Sequence, residues 1–189
     1  MLIVREKTHL HWSKKVTMHL RQQQFCEAVR NKYPGLFYKK KVLDCGSCDV
    51  NGNNRYLFLK SDYIGIDIVA GMNVDIVTSV ADYKPSCLFD VVISTEMLEH
   101  DSTWKKSVTR MWELLEPGGI LIITCASGKR KKHATTLEGE GYYKNVGVEE
   151  FCEVIRELSF SRHVIKIGRK GVDLYFWGMK REEIVEDEA

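Results

Sequence analysis

The sequence predicts an α/β protein whose mostly parallel sheet is covered by helices on both faces, a doubly wound arrangement of three layers. Three observations carry this prediction. Short apolar runs alternate along the chain with helical patterns, which is the order of strand–helix–strand units. Two of the runs, 89–94 and 120–125, are almost wholly apolar and predict strands buried on both faces. A hairpin pattern near the end adds two antiparallel strands, giving seven strands in all.

In the first half of the chain, one helix precedes three strands. Residues 14–32 carry an approximate apolar stripe at helical spacing, and Pro34-Gly35 ends the helix that they predict. The strands are predicted at 41–45 (KVLDC), 63–68 (YIGIDI) and 74–77 (VDIV). We expect any helix between the first two strands to be short, because only the residues NRYLFLK precede Ser61-Asp62.

The second half alternates more regularly. The run 89–94 (FDVVIS) predicts the fourth strand, and apolar residues from Trp104 to Leu115 predict a helix that Pro117 and two glycines end. The run 120–125 (ILIITC) is the fifth strand. A further helix is predicted over 148–158, and two strands flank the turn 168–171.

Composition favours one domain. We assign residues 1–189 to a single unit, with an N-terminal helical segment or lid (1–39), a core (40–180) and a charged tail (181–189). The net charge of +2 is too small to indicate nucleic acid or a membrane surface. No apolar run approaches the roughly 20 residues of a membrane helix, and we expect no signal peptide. Six mostly isolated cysteines do not form a disulfide scaffold, so we predict a cytoplasmic protein.

The stretch 41–53 (KVLDCGSCDVNGN) allows several interpretations. Its C-x-x-C, Cys45 to Cys48, could indicate redox chemistry, which needs a thiolate activated at a helix N-terminus. It could also indicate zinc, although a structural zinc site normally has two such pairs and the other cysteines are isolated. The remaining interpretations are packing cysteines and a strand that enters a nucleotide-binding loop. We expect no metal site.

The nucleotide interpretation has support elsewhere in the chain. A dinucleotide fold requires G-x-G-x-x-G, and the second and third glycines after Gly46 are absent. Yet Asp67 ends the second strand about 20 residues later, where an acid binds a ribose diol. A cofactor with a ribose but no phosphate fits both facts, and S-adenosyl-L-methionine is such a cofactor.

Four motifs, in order over roughly residues 40–125, carry a resemblance. VLDCGS (42–47), YIGID (63–67), FDVVISTEMLEH (89–100) and LLEPGGILIIT (114–124) resemble those of the class I S-adenosylmethionine-dependent methyltransferases, in particular the small, type 11-like group. The resemblance implies the Rossmann-like methyltransferase fold and an enzyme that moves a methyl group to an acceptor by in-line displacement. The terminal hairpin is similar to the antiparallel seventh strand of that family.

The resemblance also implies a cofactor site beyond the carboxyl ends of the strands. It would contain Asp44, Cys45, Gly46, Ser47, Asp67, Ile68, Ser79, Val80, Ser94, Thr95 and Glu96. Asp67 would accept two hydrogen bonds from the ribose hydroxyls, Gly46 would let the backbone approach the methionine portion, and Asp44 would face its ammonium group. His100 is a candidate general base, although Glu99-His100 could equally cap the start of a helix.

The chain departs from the family pattern in three places. The first motif has an irregular loop between Gly46 and Gly52. The third strand is followed by Thr78 to Ala81 without an acid, so adenine recognition would depend on backbone groups and Ser79. The fourth strand lacks the D/N-P-P-Y motif, which argues against amino methylation of DNA bases.

The insert 127–145, after the fifth strand, is basic and aromatic. Lys129, Arg130, Lys131 and Lys132 predict contact with an acidic acceptor, while a solvated loop is the alternative. Two other functions stay open: a non-catalytic module that binds S-adenosylmethionine or S-adenosylhomocysteine, and an NAD-dependent oxidoreductase. Cofactor turnover separates the first from an enzyme. The acceptor, the methylated atom and the oligomeric state are not assigned by the sequence.

Overall fold

The computed structural model describes residues 20–132 and 141–182. In chain order, its helices and strands are α1 (Leu20–Lys32), β1 (Lys41–Cys45), β2 (Asp62–Asp67), β3 (Ile76–Val77), β4 (Phe89–Thr95), α2 (Trp104–Glu113), β5 (Leu115–Ala126), α3 (Val148–Glu157), β6 (Phe160–Ile167) and β7 (Asp173–Lys180). Short 3₁₀ turns occur at Arg55–Leu57 and at Leu98–His100, where they shape the loops of the carboxyl edge.

The seven strands form one sheet in the order β3-β2-β1-β4-β5-β7-β6. Strands β1 to β5 are parallel, and β7 runs antiparallel to both of its neighbours. This arrangement confirms the predicted fold class. Because the chain reverses its direction of travel across the sheet after β3, the carboxyl ends of β1 and β4 lie side by side, at the switch point where ligands bind in such sheets.

Several boundaries differ from the prediction. The helix predicted over 14–32 begins at Leu20 in the described part of the chain, and residues 14–19 lie outside it. β3 has only two residues. β5 begins at Leu115 rather than at residue 120, because Leu115 already pairs with Phe89 before an irregularity in the ladder. The proline and glycines that were predicted to end a helix therefore lie within the first part of a strand.

Alternation along the strands divides the core between two faces. Side chains of Leu43, Val92 and Ile123 point to one face, where α2 and α3 cover them with residues such as Met111 and Phe151. α2 and α3 can do this because their buried residues recur at helical spacing. β4 and β5 are thus buried on both faces, as their apolar runs predicted, whereas the two residues of β3 are exposed.

The opposite face has a thinner cover. There Val42, Ile93 and Ile122 pack against Cys26 and Val29 of α1, and the stacked rings of Phe37 and Phe58, 4.8 Å apart, fill the remaining area. In the described residues no α-helix stands between β1 and β2; the segment 46–61 contributes only its 3₁₀ turn. α1 therefore packs as part of the core. No helix in the described ranges is long and apolar enough to cross a membrane.

Candidate functional site

The loop after β1 turns sharply at Gly46. Its N–H and that of Ser47 both donate to the carbonyl oxygen of Ile66, at 2.9 and 3.0 Å, so the loop closes over the end of β2. Gly46 has a φ of +79°, and a Cβ at this position would lie 2.5 Å from Cγ of Met97. Both the conformation and the close contact with the loop after β4 require glycine here.

Polar contacts fix this loop against the loop that follows β2. The Ser47 hydroxyl donates to the Asn73 carbonyl at 3.0 Å, and the Asn73 amide donates back to the Ser47 carbonyl at 2.9 Å. Arg55 then donates to Asn73 Oδ1 and to Asp75 Oδ2, each at 2.8 Å. We call Ser47, Arg55, Asn73 and Asp75 the loop latch. It holds the first loop in place without the second and third glycines of a dinucleotide fold.

Asp67 lies at the end of β2 and anchors the same two loops. Its carboxylate accepts a hydrogen bond from the N–H of Cys48 and another from that of Val69, each at 3.1 Å. A carboxylate offers about four lone-pair sites, and Asp67 is partly exposed. Acceptor capacity for two hydroxyl groups therefore remains at the position where the sequence predicts a ribose diol.

Asp44, near the end of β1, is buried. The Tyr63 hydroxyl donates to its Oδ2, whereas Oδ1 has no hydrogen-bond partner among the described residues. Burial raises the pKa of Asp44 to about 6, against the opposing effect of the Tyr63 hydrogen bond. An orphaned carboxylate oxygen beside Gly46 fits a positively charged group of a ligand.

The residues after β3 provide an acid that the sequence analysis missed. The Ser79 hydroxyl donates to Asp82 Oδ2 at 2.6 Å and accepts from the Asp82 N–H at 3.1 Å. The signal was available, because S-x-x-D is the spacing of a capping motif. Val80 is buried in the core on the side of the sheet that α2 covers. Ile68, which directly follows β2, is 71% exposed.

At the end of β4, two predicted site residues are engaged within the protein. The buried Ser94 hydroxyl donates to the Cys45 carbonyl at 2.9 Å. The Thr95 hydroxyl accepts a hydrogen bond from the buried Asn54 amide at 3.0 Å. Side chains of Cys45, Ser47 and Ser94 are all buried, so any contact they make with a ligand is assigned to their main-chain groups.

Beyond Thr95 lies a group of three carboxyl residues, Glu96, Glu99 and Asp173, which we call the acid cluster. Glu96 has a left-handed backbone, with φ of +56°. Nη1 of Arg130 lies 2.6 Å from Glu96 Oε2 and 2.9 Å from Asp173 Oδ1, and the Arg130 side chain is only 13% exposed. Arg130 therefore joins the carboxyl ends of β4 and β5 to the start of β7.

Glu99 is the most deeply buried member of the acid cluster, with no exposed surface. Burial and the nearby Glu96 raise its pKa to about 8, although backbone N–H groups partly oppose this. Burial and Glu99 also raise the pKa of Tyr143 to about 12. The His100 and Tyr143 rings meet edge to face at 5.3 Å, so the candidate base lies at the border of the acid cluster.

These contacts correct one part of the sequence analysis. Arg130 was grouped with three lysines as a contact for an acidic acceptor, but its guanidinium is bound to two carboxylates of the protein. Lys129, Lys131 and Lys132 are exposed. His133 and the rest of the insert up to residue 140 lie outside the described residues. The charge run itself gave no signal as to which side chain points inward.

The C-x-x-C has no feature of a redox or zinc site in the described residues. Cys45 is buried in the core, where burial raises its thiol pKa well above the ordinary value. The Cys48 sulfur packs against Gly71, at 2.5 Å from where a Cβ would lie. All six cysteines fall in the described ranges and are free. Within those ranges no group of three or more potential ligands could hold a metal ion.

Comparison with known proteins agrees with the fold and the edge described above. Residues 43–123 match the family described as "Methyltransferase domain". The matched segment begins in β1 and ends in β5, so it contains β2, β3 and β4, parts of β1 and β5, and the loops that follow β1 to β4. No curated protein matches the chain.

Solved structures share the architecture at low identity. The N-methyltransferase NodS from Bradyrhizobium japonicum WM9 is 15% identical, with 86% of this chain and 95% of that chain covered and a TM-score of 0.57. Burkholderia thailandensis 1,6-didemethyltoxoflavin-N1-methyltransferase, bound to 1,6-didemethyltoxoflavin and S-adenosylhomocysteine, is 15% identical, covering 85% and 79%, with a TM-score of 0.62.

A third structure, Haemonchus contortus phosphoethanolamine N-methyltransferase 2 with S-adenosyl-L-methionine, is 14% identical and covers 85% of this chain and 53% of its own, with a TM-score of 0.62. These likenesses show the fold, and the family match confirms the resemblance carried by the four sequence motifs. Residues 43–123 therefore match the methyltransferase-domain family, and the chain has the fold of these methyltransferase structures.

Proposed function

We propose that this chain transfers a methyl group from S-adenosylmethionine to an acceptor that enters beside the ends of β4 and β5. The observation that carries the proposal is the pair of carboxylates with unused acceptor capacity, Asp44 and Asp67, on either side of Gly46. The family match supports the same function. When bound, S-adenosylmethionine supplies a methyl group activated by attachment to a positively charged sulfur.

The described residues fit this cofactor. Asp67 would receive the two ribose hydroxyls on the lone pairs that Cys48 and Val69 leave unused. Asp44 would receive the ammonium group through Oδ1, directly or through water, which would also remove an orphaned buried acceptor. The exposed Ile68 would lie against the adenine ring, giving its apolar surface a partner.

The adenine amine would be bound by residues that follow β3. The Ser79–Asp82 pair places a carboxylate there, within a turn fixed by two hydrogen bonds. This assignment adds the Asp82 carboxylate to the backbone groups and Ser79, from which adenine recognition was expected. Val80 would contribute from the buried side of the same turn.

The chain contributes to methyl transfer mainly by placing the acceptor. Holding two reactants close and aligned can supply roughly 7–11 kcal/mol of the barrier. Thr95 and Glu96 are held by Asn54 and Arg130, respectively, so the edge that would receive the acceptor is rigid. His100 stays a proposed general base, needed only where the acceptor must lose a proton.

Three further proposals remain, two of which concern the surroundings of the site and one the location of the protein. Contact of the exposed Lys129, Lys131 and Lys132 with an acidic group of the acceptor, remote from the atom that is methylated, is supported by their position after β5, and this contact would weaken with salt. The lid predicted over residues 1–39 is kept as a proposal for residues 1–19 only, because Cys26 and Val29 of α1 pack in the core. A cytoplasmic location is supported by the free state of all six cysteines in the described ranges.

Calorimetry and turnover together test the function. Titration with S-adenosylmethionine, S-adenosylhomocysteine and NADH should give saturable binding of the first two alone. Incubation with radiolabelled cofactor and a cell extract should then yield S-adenosylhomocysteine. Binding of NADH in place of S-adenosylmethionine would favour the oxidoreductase, and cofactor binding without turnover would favour the non-catalytic module.

A further inference from the structure

Negative groups outnumber positive ones at the acceptor side of the site. The acid cluster holds three carboxyl groups, whereas Arg130 is the one cation that forms an ion pair with it in the described ranges. Both ion pairs of Arg130 involve Glu96 and Asp173, and Glu99 forms none with a described residue. Full ionisation would leave two negative charges in excess in a region with little access to water, which is unfavourable.

A second observation comes from polar atoms that lack partners. Neither carboxylate oxygen of Glu99 has a hydrogen bond of normal geometry to a described residue, although its side chain is completely buried. The same holds for Oε1 of Glu96 and for the buried hydroxyl of Thr124, the residue paired with Thr95 in the sheet. Buried polar groups are nearly always paired. Apart from the poorly aligned backbone N–H groups of Glu99 and Ala126, three acceptor oxygens of Glu96 and Glu99 therefore lack a donor among the described residues.

We propose that the acid cluster binds a basic nitrogen of the methyl acceptor, so that the substrate class is an amine. An ammonium group brings up to three N–H donors and one positive charge, which match the unpaired oxygens and the excess negative charge. An alcohol would bring one donor and no charge. A phosphate or carboxylate would meet like charge. This inference deepens the proposed function and rests on it.

The position of the acid cluster suits this role. Glu96 directly follows Thr95 at the end of β4, and its side chain is 20% exposed. His100 and Tyr143 are also partly exposed, so these three residues connect Glu99 to the surface. An amine that enters along this side would meet Glu96 before Glu99.

The Glu99 carboxylate can also accept the proton that the bound ammonium group must lose. With the proton on nitrogen, the partners are an ammonium and the Glu99 carboxylate. When the proton moves to Glu99, the carboxyl becomes neutral and the nitrogen regains the lone pair that makes it nucleophilic. A carboxyl group whose environment already favours its protonated form can accept this proton at neutral pH. For an amine, Glu99 therefore takes the role of general base that was proposed for His100, and no redox partner is required.

The test uses the full chain with ¹³C in the side-chain carboxyl groups of glutamate. Signals of Glu96 and Glu99 are assigned with the variants Glu96→Gln and Glu99→Gln. The Glu99 signal is then followed as the pH is varied, first without additive and then with millimolar methylammonium or benzylammonium. Methanol and benzyl alcohol are the matched neutral controls. We expect both ammonium probes to lower the Glu99 pKa by about one unit, which is a tenfold change in proton affinity, and the alcohols to leave it unchanged.

Matched variants locate the effect. Glu96→Gln should weaken the response to ammonium several-fold, whereas Glu157→Gln, at the exposed end of α3, should leave it intact. An unchanged Glu99 titration with both ammonium probes, an equal response to the alcohols, or a response to Mg²⁺ alone would each overturn the amine assignment. Calorimetry with S-adenosylmethionine on the same sample separates the proposals: retained cofactor binding with no ammonium response removes the amine assignment only, and lost cofactor binding removes the proposed function.

Discussion

The two sides of the carboxyl edge differ in how completely their polar groups are paired. On the β2 side, the loop latch joins Ser47, Arg55, Asn73 and Asp75 through hydrogen bonds of 2.8 to 3.0 Å. On the β5 side, the acid cluster includes Glu99, whose carboxylate oxygens have no partner of normal geometry among the described residues. On the β2 side the polar groups of the latch are paired with one another, whereas on the β5 side buried acceptor oxygens are available to a ligand.

Physical chemistry explains why the two regions should behave differently. A fully paired network holds one geometry, because each broken bond leaves a polar group without a partner. The latch therefore fixes the backbone around Gly46 even though the loop lacks further glycines at the expected places. An incompletely paired buried group raises the energy of the protein until something binds to it. Regions of this kind are where we expect charge, pH and ligands to have the largest effects.

The largest effect should follow removal of the cation from the acid cluster. Arg130→Met leaves Glu96 and Asp173 without their shared partner, and loss of one member of a buried ion pair costs about 3 kcal/mol. Lys131→Met, at the adjacent exposed position, should change the free energy of unfolding by less than about 0.5 kcal/mol. Urea unfolding of both variants measures the difference.

A combined variant sharpens this prediction. If uncompensated charge causes the loss, then Arg130→Met together with Glu96→Gln and Asp173→Asn should recover much of the stability. Equal stabilities of Arg130→Met and Lys131→Met would contradict the contrast between the two sides of the edge.

The next effect concerns pH. Glu99 is protonated more readily in the folded protein, where its pKa is raised from about 4.5 to about 8, so folding binds protons in that interval. The contribution of Glu99 to the free energy of unfolding is therefore fully present at low pH and is lost as the pH rises toward 8. Asp44, raised to about 6, acts in the same direction but only up to that pH. Between pH 6 and pH 8 we expect a loss of about 2 kcal/mol, within the limit of about 1.4 kcal/mol per unit for one group.

Glu99→Gln provides the control for this prediction. Its amide does not titrate, so the free energy of unfolding should become nearly flat from pH 6 to pH 8. A slope that persists in Glu99→Gln would assign the pH dependence to another group, and a flat wild type would show that Glu99 is ionised throughout.

Asp67 tests the cofactor side directly. Hydrogen bonds to a charged group are worth roughly 1.5–3 kcal/mol each, so Asp67→Ala should weaken S-adenosylmethionine binding by at least about tenfold while the fold survives. Asp62→Ala, at the exposed start of the same strand, should leave the affinity unchanged. Calorimetry that gives the same dissociation constant for a folded Asp67→Ala variant would remove Asp67 from the site.

Much of the fold could be predicted because it depends on local patterns. The apolar runs located the five parallel strands to within a few residues, with β5 beginning earlier than expected, and the glycine-bounded turn identified the final hairpin. The acid at the end of β2 and Gly46 could also be identified, since each follows directly from the end of a strand. Such features are set by neighbours in the sequence and by the geometry of a parallel sheet.

The acid cluster and the latch could not be predicted in the same way. Arg130 meets Asp173 across 43 positions, and Ser47 meets Asn73 across 26. In the run Lys129 to Lys132, the sequence does not distinguish the side chain that points inward, that of Arg130, from those of the three exposed lysines. Asp173 did carry a signal, because it is the only acid in the mostly apolar final strand, but its partner could not be named.

The smallest effect should come from the loop latch. The Asn73 side chain donates to the Ser47 carbonyl and accepts from Arg55, and typical hydrogen bonds contribute about 0.5–1.5 kcal/mol each. Because Arg55 can turn to water once released, we expect Asn73→Ala to cost about 1 kcal/mol of stability. The looser loop should raise the dissociation constant for S-adenosylmethionine a few-fold. Asn51→Ala, an exposed position in the same loop, is the matched control and should change neither quantity. An Asn73→Ala variant with wild-type cofactor affinity would mean that the latch supports the fold alone, and that Gly46 and Asp67 hold the site without it.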